Sequence, residues 1–517
     1  MNILLINLTR FGDLIQTQPV ISGFKRLGHR VGLVCLDNFS AAATLLDGLD
    51  AVFSLPGARL LSGLDSDWRL AVRDAAGFRR EIMEAFLPER TVNLTPSVSS
   101  RLLARDLTPP GGETVGFSVD ELGFNADSSA WAAFLQLAGG NRGASPFNIC
   151  DIFRRTAGLG DEGNALVLAA PGDEAGAEAA ALLRQAGLVG GAACIALQLG
   201  ASEDRRRWPV DHFIRAARLF AERDRLTPVL LGAKGEAELG QRFEAGFGGP
   251  CVNLIGRTSL PVLAGTLAAC RALVTNDTGT MHLAAGLGVP VCAVFLATAQ
   301  PWDTGPYRAG NICLEPDLDC HPCAFGRPCS LENICRRSIT PEALYAYLKV
   351  LIDGAEPPHL PGVRAWRTRT GEEGFMDLVS LSGHGNTDRA LWITMQRAHY
   401  RPFLDGGIFR DKTGLAAGIC PSMATGLNKT LTSAHDMLFL ISRQGMVLAA
   451  NPREQAKAKF LASWQRLQNI LGTNEHLNIL GLLWMFQSQQ CSGDLSTLMA
   501  LADRYLALFA SLKGEFE

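Results

Sequence analysis

Asp277, Thr278, Gly279 and His282 fall within one stretch, residues 274–290, where polar groups meet a helix start. Residues 271–275 are mostly apolar and read as the end of a buried strand. Asn276, Asp277, Thr278 and Gly279 form a polar turn after it. Met281, Leu283, Ala284, Ala285 and Leu287 then recur at helical spacing, Gly288 and Pro290 stop the helix, and Val291 opens another strand. The first N–H groups of a helix lack intrahelical partners and sit at the positive end of its dipole, which suits an anion. Asp277, Thr278 and His282 bring polar side chains to the same place. The diphosphate of a sugar nucleotide fits that chemistry. The plain alternative is an ordinary capped helix with His282 satisfied in the core.

Other residues have chemistry at comparable positions. Asp13 lies beside Gly12 in the turn after the first apolar run. A carboxylate at a helix N-terminus stays ionised and serves as a general base or as a simple cap. Arg205, Arg206 and Arg207 precede Trp208 and Pro209 in a loop after a strand, where a guanidinium can stabilise charge on a leaving diphosphate. Glu236, after the run ending near Leu231, is suited to accept from a nucleoside hydroxyl. Asp65 with Asp67, and Asp317 with Asp319, follow no buried strand and read as surface loops. Cys320, Cys323, Cys329 and Cys335 make a C-x2-C-x5-C-x5-C pattern, compatible with a structural zinc or iron–sulfur site or with a cysteine-rich loop. No G-x-G-x-x-G follows the first strand, and neither a P-loop nor a G-x-S-x-G elbow occurs, which argues against NAD enzymes, NTPases and α/β-hydrolases.

These residues need elements to position them. Residues 3–8 are a nearly continuous apolar run, as in a parallel strand covered on both faces. A helix is expected over 14–27, with Pro19 as a kink or break, and further strands at 31–36, 52–55 and 91–94. A second alternating block starts near Leu166, with strands at 194–199, 228–231 and 252–255 and a helix over 210–223. Alternation of this kind gives two doubly wound α/β halves, joined near residues 160–190, with ligands outside the carboxyl ends of the strands. The expected boundaries are 1–165, 166–352, a linker over 353–373 and a helical accessory domain over 374–517, the last without strands or a chemical motif. At 517 residues, 47% hydrophobic and 19% charged, the chain has the material for several cores. A net charge of −3 gives no overall footprint for nucleic acid. The N-terminal run lacks a basic region before it and reads as a strand rather than a signal segment. No uninterrupted apolar run reaches membrane-spanning length. Thirteen cysteines, odd in number and scattered through strand-like runs, fit a reducing cytoplasm.

Residues 3–13, with Thr17 and Pro19, resemble the opening of glycosyltransferase family 9, the bacterial ADP-heptose:lipopolysaccharide heptosyltransferases. Residues 206–209, 231–236, 254–260 and 276–285 resemble its later motifs in the same order, so the likeness covers about residues 1–350. It implies a GT-B fold, two Rossmann-like domains facing a cleft, with acceptor on the first and nucleotide sugar on the second. It implies inverting transfer without a metal cofactor, with ADP-heptose as donor and a lipopolysaccharide-core or other lipid-linked glycan as acceptor. The corresponding location is the cytoplasm, peripheral on the inner membrane. By position, Asp13 becomes the base and Arg206 the partner of the leaving group. Ala201, Ser202, Glu236, Thr258, Asp277, Thr278, Gly279 and His282 become contacts of the nucleotide sugar. Arg206 stands where the family commonly has lysine. Residues 295–298 read Phe-Leu-Ala-Thr where the family usually has Phe-Gly-Pro-Thr, which alters the loop near the sugar. A non-catalytic nucleotide-sugar-binding scaffold is the alternative, and the whole 277–282 turn together with Asp13 favours the enzyme.

Overall fold

The computed structural model describes the chain except residues 142, 161–164, 410–411 and 492. It falls into two compact units, Met1–Phe117 with Phe147–Gly383, and Ser118–Pro146 with His384–Glu517.

The first unit holds two parallel sheets. Strands β1 (Asn2–Ile6), β2 (Arg30–Leu36), β3 (Ala51–Leu55), β4 (Arg90–Asn93) and β5 (Glu113–Gly116) pair in the order β3-β2-β1-β4-β5. Helices cover both faces of such a sheet, so its central strands are apolar throughout rather than alternating. Ile3, Leu4, Leu5 and Ile6 are all fully buried. Leu4, Ile6, Val34 and Phe53 share one core with Phe78 and Ile82 of the helix Trp68–Ala85. The helix expected over 14–27 is two helices, Phe11–Ile15 and Gln18–Arg26. Pro19 sits in the first turn of the second, where its missing N–H costs nothing, so the break precedes it.

The second sheet contains β6 (Cys194–Gln198), β7 (Thr227–Leu231), β8 (Val252–Asn253), β9 (Leu273–Asn276), β10 (Val291–Val294) and β11 (Ile312–Pro316), all parallel. Two further strands, β12 (Val363–Thr370) and β13 (Met376–Ser380), add an antiparallel edge, giving β13-β12-β11-β10-β9-β6-β7-β8. Counted within its own half, the parallel part runs 3-2-1-4-5-6, the dinucleotide-fold order. The β12–β13 hairpin corrects the expectation of a linker over 353–373 followed only by helices. Arginines at 364, 367 and 369 conceal β12 in the sequence. Arg364 is nevertheless buried, with Nε donating to Asp317 Oδ1 at 2.8 Å, and Trp366 Nε1 donates to buried Glu315 at 2.8 Å.

The helix Ile149–Thr156 leads from the first half to the second. Its buried Asp151 and Arg154 form a knot with Tyr307. Tyr307 Oη donates to Asp151 at 2.6 Å, Arg154 donates to the Gly160 carbonyl at 2.6 Å, and Met376 N–H donates to Asp151 at 3.0 Å. Burial, reinforced by Asp151, pushes the Tyr307 hydroxyl well above its ordinary pKa. The knot fixes the connecting helix to the β12–β13 hairpin.

The second unit is helical: Ala130–Gly140, Asp388–Asp405, Pro421–Ala450, Glu454–Gly472, Asn478–Gln490 and Leu495–Gly514. Residues 118–146, expected in the first domain, belong here instead. Trp131 Nε1 donates to Asp405 at 2.7 Å, and Gln490 donates to Asp127 at 2.9 Å. Trp484 stacks on Trp464 at 3.9 Å and meets Tyr505 edge-on at 5.0 Å. Leu495–Gly514 is long and apolar enough to cross a membrane by length and composition, although its apolar run is not uninterrupted. Asp503 and Arg504 interrupt it, and Leu501, Tyr505, Leu508 and Leu512 recur at helical spacing and are buried, the pattern of a bundle's core helix.

Candidate active site

Every expected site residue lies just past the carboxyl end of a parallel strand. Asp13 follows β1. Ala201, Ser202 and Arg206 follow β6, Glu236 follows β7, Thr258 follows β8, and Asp277 to His282 follow β9.

Asn7, the residue after β1, organises the first of these turns. Its amide donates to Thr17 Oγ1 at 2.7 Å and to the Asp13 carbonyl at 3.3 Å, and it accepts from Thr9 N at 3.1 Å. The turn therefore presents Asp13 in the first turn of Phe11–Ile15. Nearby, burial raises the Cys150 thiol well above its ordinary pKa, with Asp151 and then Asp13 among the charges adding to the shift.

Asn276, the last residue of β9, does the same on the other half. Its amide donates to the carbonyls of Leu199 at 3.1 Å and Gly200 at 2.9 Å, and its oxygen accepts from Trp208 N at 2.9 Å. One side chain thus pins the loop that carries Ser202 and Arg206 against the turn that carries Asp277. Arg206 and Asp277 form a buried ion pair, and Arg206 also donates to Ser202 Oγ at 3.0 Å. Arg206 Nε is buried and, among the described residues, has no acceptor. Thr304 Oγ1 lies 3.4 Å from the same Asp277 oxygen. Thr278 caps Gly279–Leu287 with an extended backbone, and its hydroxyl lies 3.1 Å from Thr275 Oγ1. His282, one turn into that helix, is buried.

Glu236 folds back over the ends of β6 and β7, accepting from Ala233 N at 2.9 Å and from Gln198 Nε2 at 3.1 Å. Gly200 and Gly232 make this possible, because a Cβ at either would lie within 2.4 Å of the carboxylate. Thr258 is half-buried in the turn before Leu260–Ala268, beside the Glu236 loop. A Cβ on Gly256 would lie 2.8 Å from Lys234 Cα, so the two loops abut.

The two halves meet at these turns. A Cβ on Gly12 would lie 3.1 Å from Gly279 Cα and 3.6 Å from the His282 ring. A Cβ on Gly279 would lie 2.6 Å from the Phe11 ring. Two facing glycines therefore bring the start of the Asp13 helix onto the start of the Asp277–His282 helix. The arrangement brings the turn that carries Asp13 onto the helix start that carries Thr278 and His282, on the half that also holds the buried Arg206 guanidinium.

The cysteine-rich segment carries its thiols at mixed depth. Cys320 and Cys329 are exposed and Cys335 is buried, and no group of three or more His, Cys, Asp or Glu among the described residues is placed to hold a metal ion. Cys329 Sγ instead accepts from the N–H groups of Leu331 at 3.4 Å and Asn333 at 3.3 Å. Cys323 N–H donates to Ala297 O at 2.8 Å, so this segment braces the Phe295–Thr298 loop, where Ala297 has a φ of 55°. Asp67 caps Trp68–Ala85 and Asp317 pairs with Arg364, while Asp65 lies in the helix Gly57–Ser66 rather than in the expected loop. The supporting roles of Asn7, Gln198, Asn276 and Thr304 are not legible in the sequence, where Asn276 stands only as a polar turn residue. A polar residue ending or following an apolar strand was the available signal for the first three.

Two doubly wound halves facing each other through their strand ends make the GT-B fold. Residues 168–335 match the family described as glycosyltransferase family 9 (heptosyltransferase), as the motifs led one to expect. A stretch of 118 residues is 36% identical to lipopolysaccharide heptosyltransferase 1 of Pseudomonas aeruginosa, covering 23% of this chain and 32% of that protein. Another of 94 residues is 35% identical to lipopolysaccharide heptosyltransferase 2 of Escherichia coli, covering 17% and 27%. The chain thus spans less than a third of either relative's length in these alignments. Among solved structures, ADP-heptose lps heptosyltransferase II of E. coli superposes with a TM-score of 0.51 at 17% identity, over 68% of this chain and 99% of that one. The glycosyl transferase family 9 protein of Veillonella parvula gives 0.50 at 21% identity, over 60% and 84%. These two superpositions show a shared fold.

Proposed function

We propose that the protein is an inverting, metal-independent glycosyltransferase that moves a heptose or related sugar from a nucleoside-diphosphate donor to a lipopolysaccharide-core or other glycan acceptor. ADP-heptose is the donor suggested by the family and by the heptosyltransferase relatives. The observation that carries this reading is the Gly12–Gly279 approach, which sets Asp13 beside the turn suited to a diphosphate.

In the proposed reaction, Asp13 takes the proton of an acceptor hydroxyl. That oxygen bonds to the anomeric carbon from the face opposite the leaving group. The anomeric C–O bond to the β-phosphate breaks, and the nucleoside diphosphate leaves with the electron pair. The helix start at Thr278 and Gly279, with His282, receives the diphosphate charge. Arg206 directs its buried Nε–H to the same charge while its other nitrogens hold Asp277 and Ser202. Asp277 faces the sugar, and Ala201, Ser202, Glu236 and Thr258 contact the nucleoside side. The reaction is proposed to take place in the cytoplasm, with the protein peripheral on the inner membrane beside a lipid-linked acceptor.

A thermal-shift panel tests the donor site. ADP-sugars are expected to raise the melting temperature of the wild type, and Asp277→Asn to lower the shift. No stabilisation by any nucleotide sugar would overturn the donor assignment.

A further inference from the structure

We propose that the tip of the helical hairpin Pro421–Ala450 and Glu454–Gly472 is a docking surface for an anionic lipid bilayer. The inference deepens the proposed function by naming where a membrane-side protein would hold its membrane.

Leu440, Met446 and Val447 of the first helix and Leu461 of the second are exposed, as is Phe439. Val447, at 59%, is the most open of them. Phe439, Arg443, Met446 and Val447 recur at helical spacing, so they share one face. Isolated exposed apolar residues are ordinary, but five around one hairpin tip form a patch. Basic residues ring it. Residues 443–466 contain Arg443, Arg453, Lys457, Lys459 and Arg466 against a single acid, Glu454. Most of that stretch is exposed, and the Arg443 guanidinium lies over the Phe439 ring at 4.9 Å. Between the helices is a cavity of about 350 Å³ lined by Arg443, Val447, Arg453 and Lys459. Long cationic side chains that lie over apolar ones, with their charges outward, match the boundary between acyl chains and anionic headgroups. Charge complementarity selects that occupant, because the chain as a whole is slightly acidic while this tip is strongly basic.

Full-length protein is floated with vesicles of phosphatidylglycerol or phosphatidylcholine. The wild type is expected on phosphatidylglycerol vesicles at low salt, and in solution with phosphatidylcholine or in high salt. The triple variant Arg443→Glu, Lys457→Glu, Lys459→Glu is expected to lose about tenfold or more in partitioning. The pair Val447→Asp and Leu461→Asp is expected to lose partitioning as well. Both variants should melt as the wild type does and keep its nucleotide-sugar shift, since these side chains are exposed. The proposal fails if the wild type ignores phosphatidylglycerol or binds both lipids equally, or if the variants bind undiminished. Capture by heparin or polyglutamate without vesicle binding also overturns it. Vesicle binding without sugar transfer sustains this proposal and counts against the transferase reading alone.

Discussion

Gly279 carries more of the account than its size suggests. The space a Cβ would need is filled by Phe11 and Gly12 of the other half. Gly279→Ala should therefore part the two helix starts and cost about 1–3 kcal/mol of stability, as overpacking does. Urea unfolding measures that loss, and a transfer assay should show a fall in rate beyond it. The Arg206–Asp277 pair is the second sensitive point. Arg206→Met takes the guanidinium from the buried Asp277 carboxylate, so it should destabilise by about 3–5 kcal/mol. Arg206→Lys keeps the charge, loses the fork, and should recover stability more fully than it recovers transfer.

The elements explain which features could be read early. β1, β6 and β9 are buried along nearly their whole length because helices cover both faces, and the apolar stretches within them are plain in the residues. The turns after them follow from strand ends and helix starts, so the places of Asp13 and Asp277 were legible. The supports were not. Asn276 looks like one more polar turn residue, yet it gives two bonds to, and accepts one from, a single loop distant in sequence, residues 199–208. Asn276→Ala should cost about 1–3 kcal/mol through the stranded Trp208 N–H and the Gly200 carbonyl. The β12 strand was hidden because a partner, Asp317, neutralises its buried Arg364. The cysteine pattern left open a metal site or a cysteine-rich loop, and Cys320 and Cys329 are exposed in it. A pH effect belongs at this scale as well. Burial pushes the Glu515 carboxyl up, but bonds from the Thr413 backbone N–H, His399 and the Thr413 hydroxyl outweigh it, leaving its pKa lowered. Its contribution to stability is therefore complete above the unfolded carboxyl value of about 4.3 and is lost as pH falls through the lower folded value. The melting-temperature gap between wild type and Glu515→Gln should be present at neutral pH and close in acid.

At the scale of the whole molecule, the chain leaves the first unit at residue 117, returns at 147 and leaves again at 383. No composition change marks the first excursion, which is why residues 118–146 read as part of the first half. The helical unit therefore needs two pieces of chain. A fragment of residues 384–517 lacks Trp131, the partner of Asp405, and Asp127, the partner of Gln490. It should melt without cooperativity, and joining residues 118–146 to it should restore a sharp transition in calorimetry. The central claim concerns the other unit, that Asp13 works as the base for an acceptor hydroxyl attacking a sugar held by the opposite half. The most direct measurement is transfer from ADP-heptose by wild type and Asp13→Asn, with nucleotide binding followed by thermal shift in both. Binding is expected to be unchanged and the rate lower by about 10²–10⁴-fold, the usual contribution of a general base. Transfer by Asp13→Asn at the wild-type rate would contradict it.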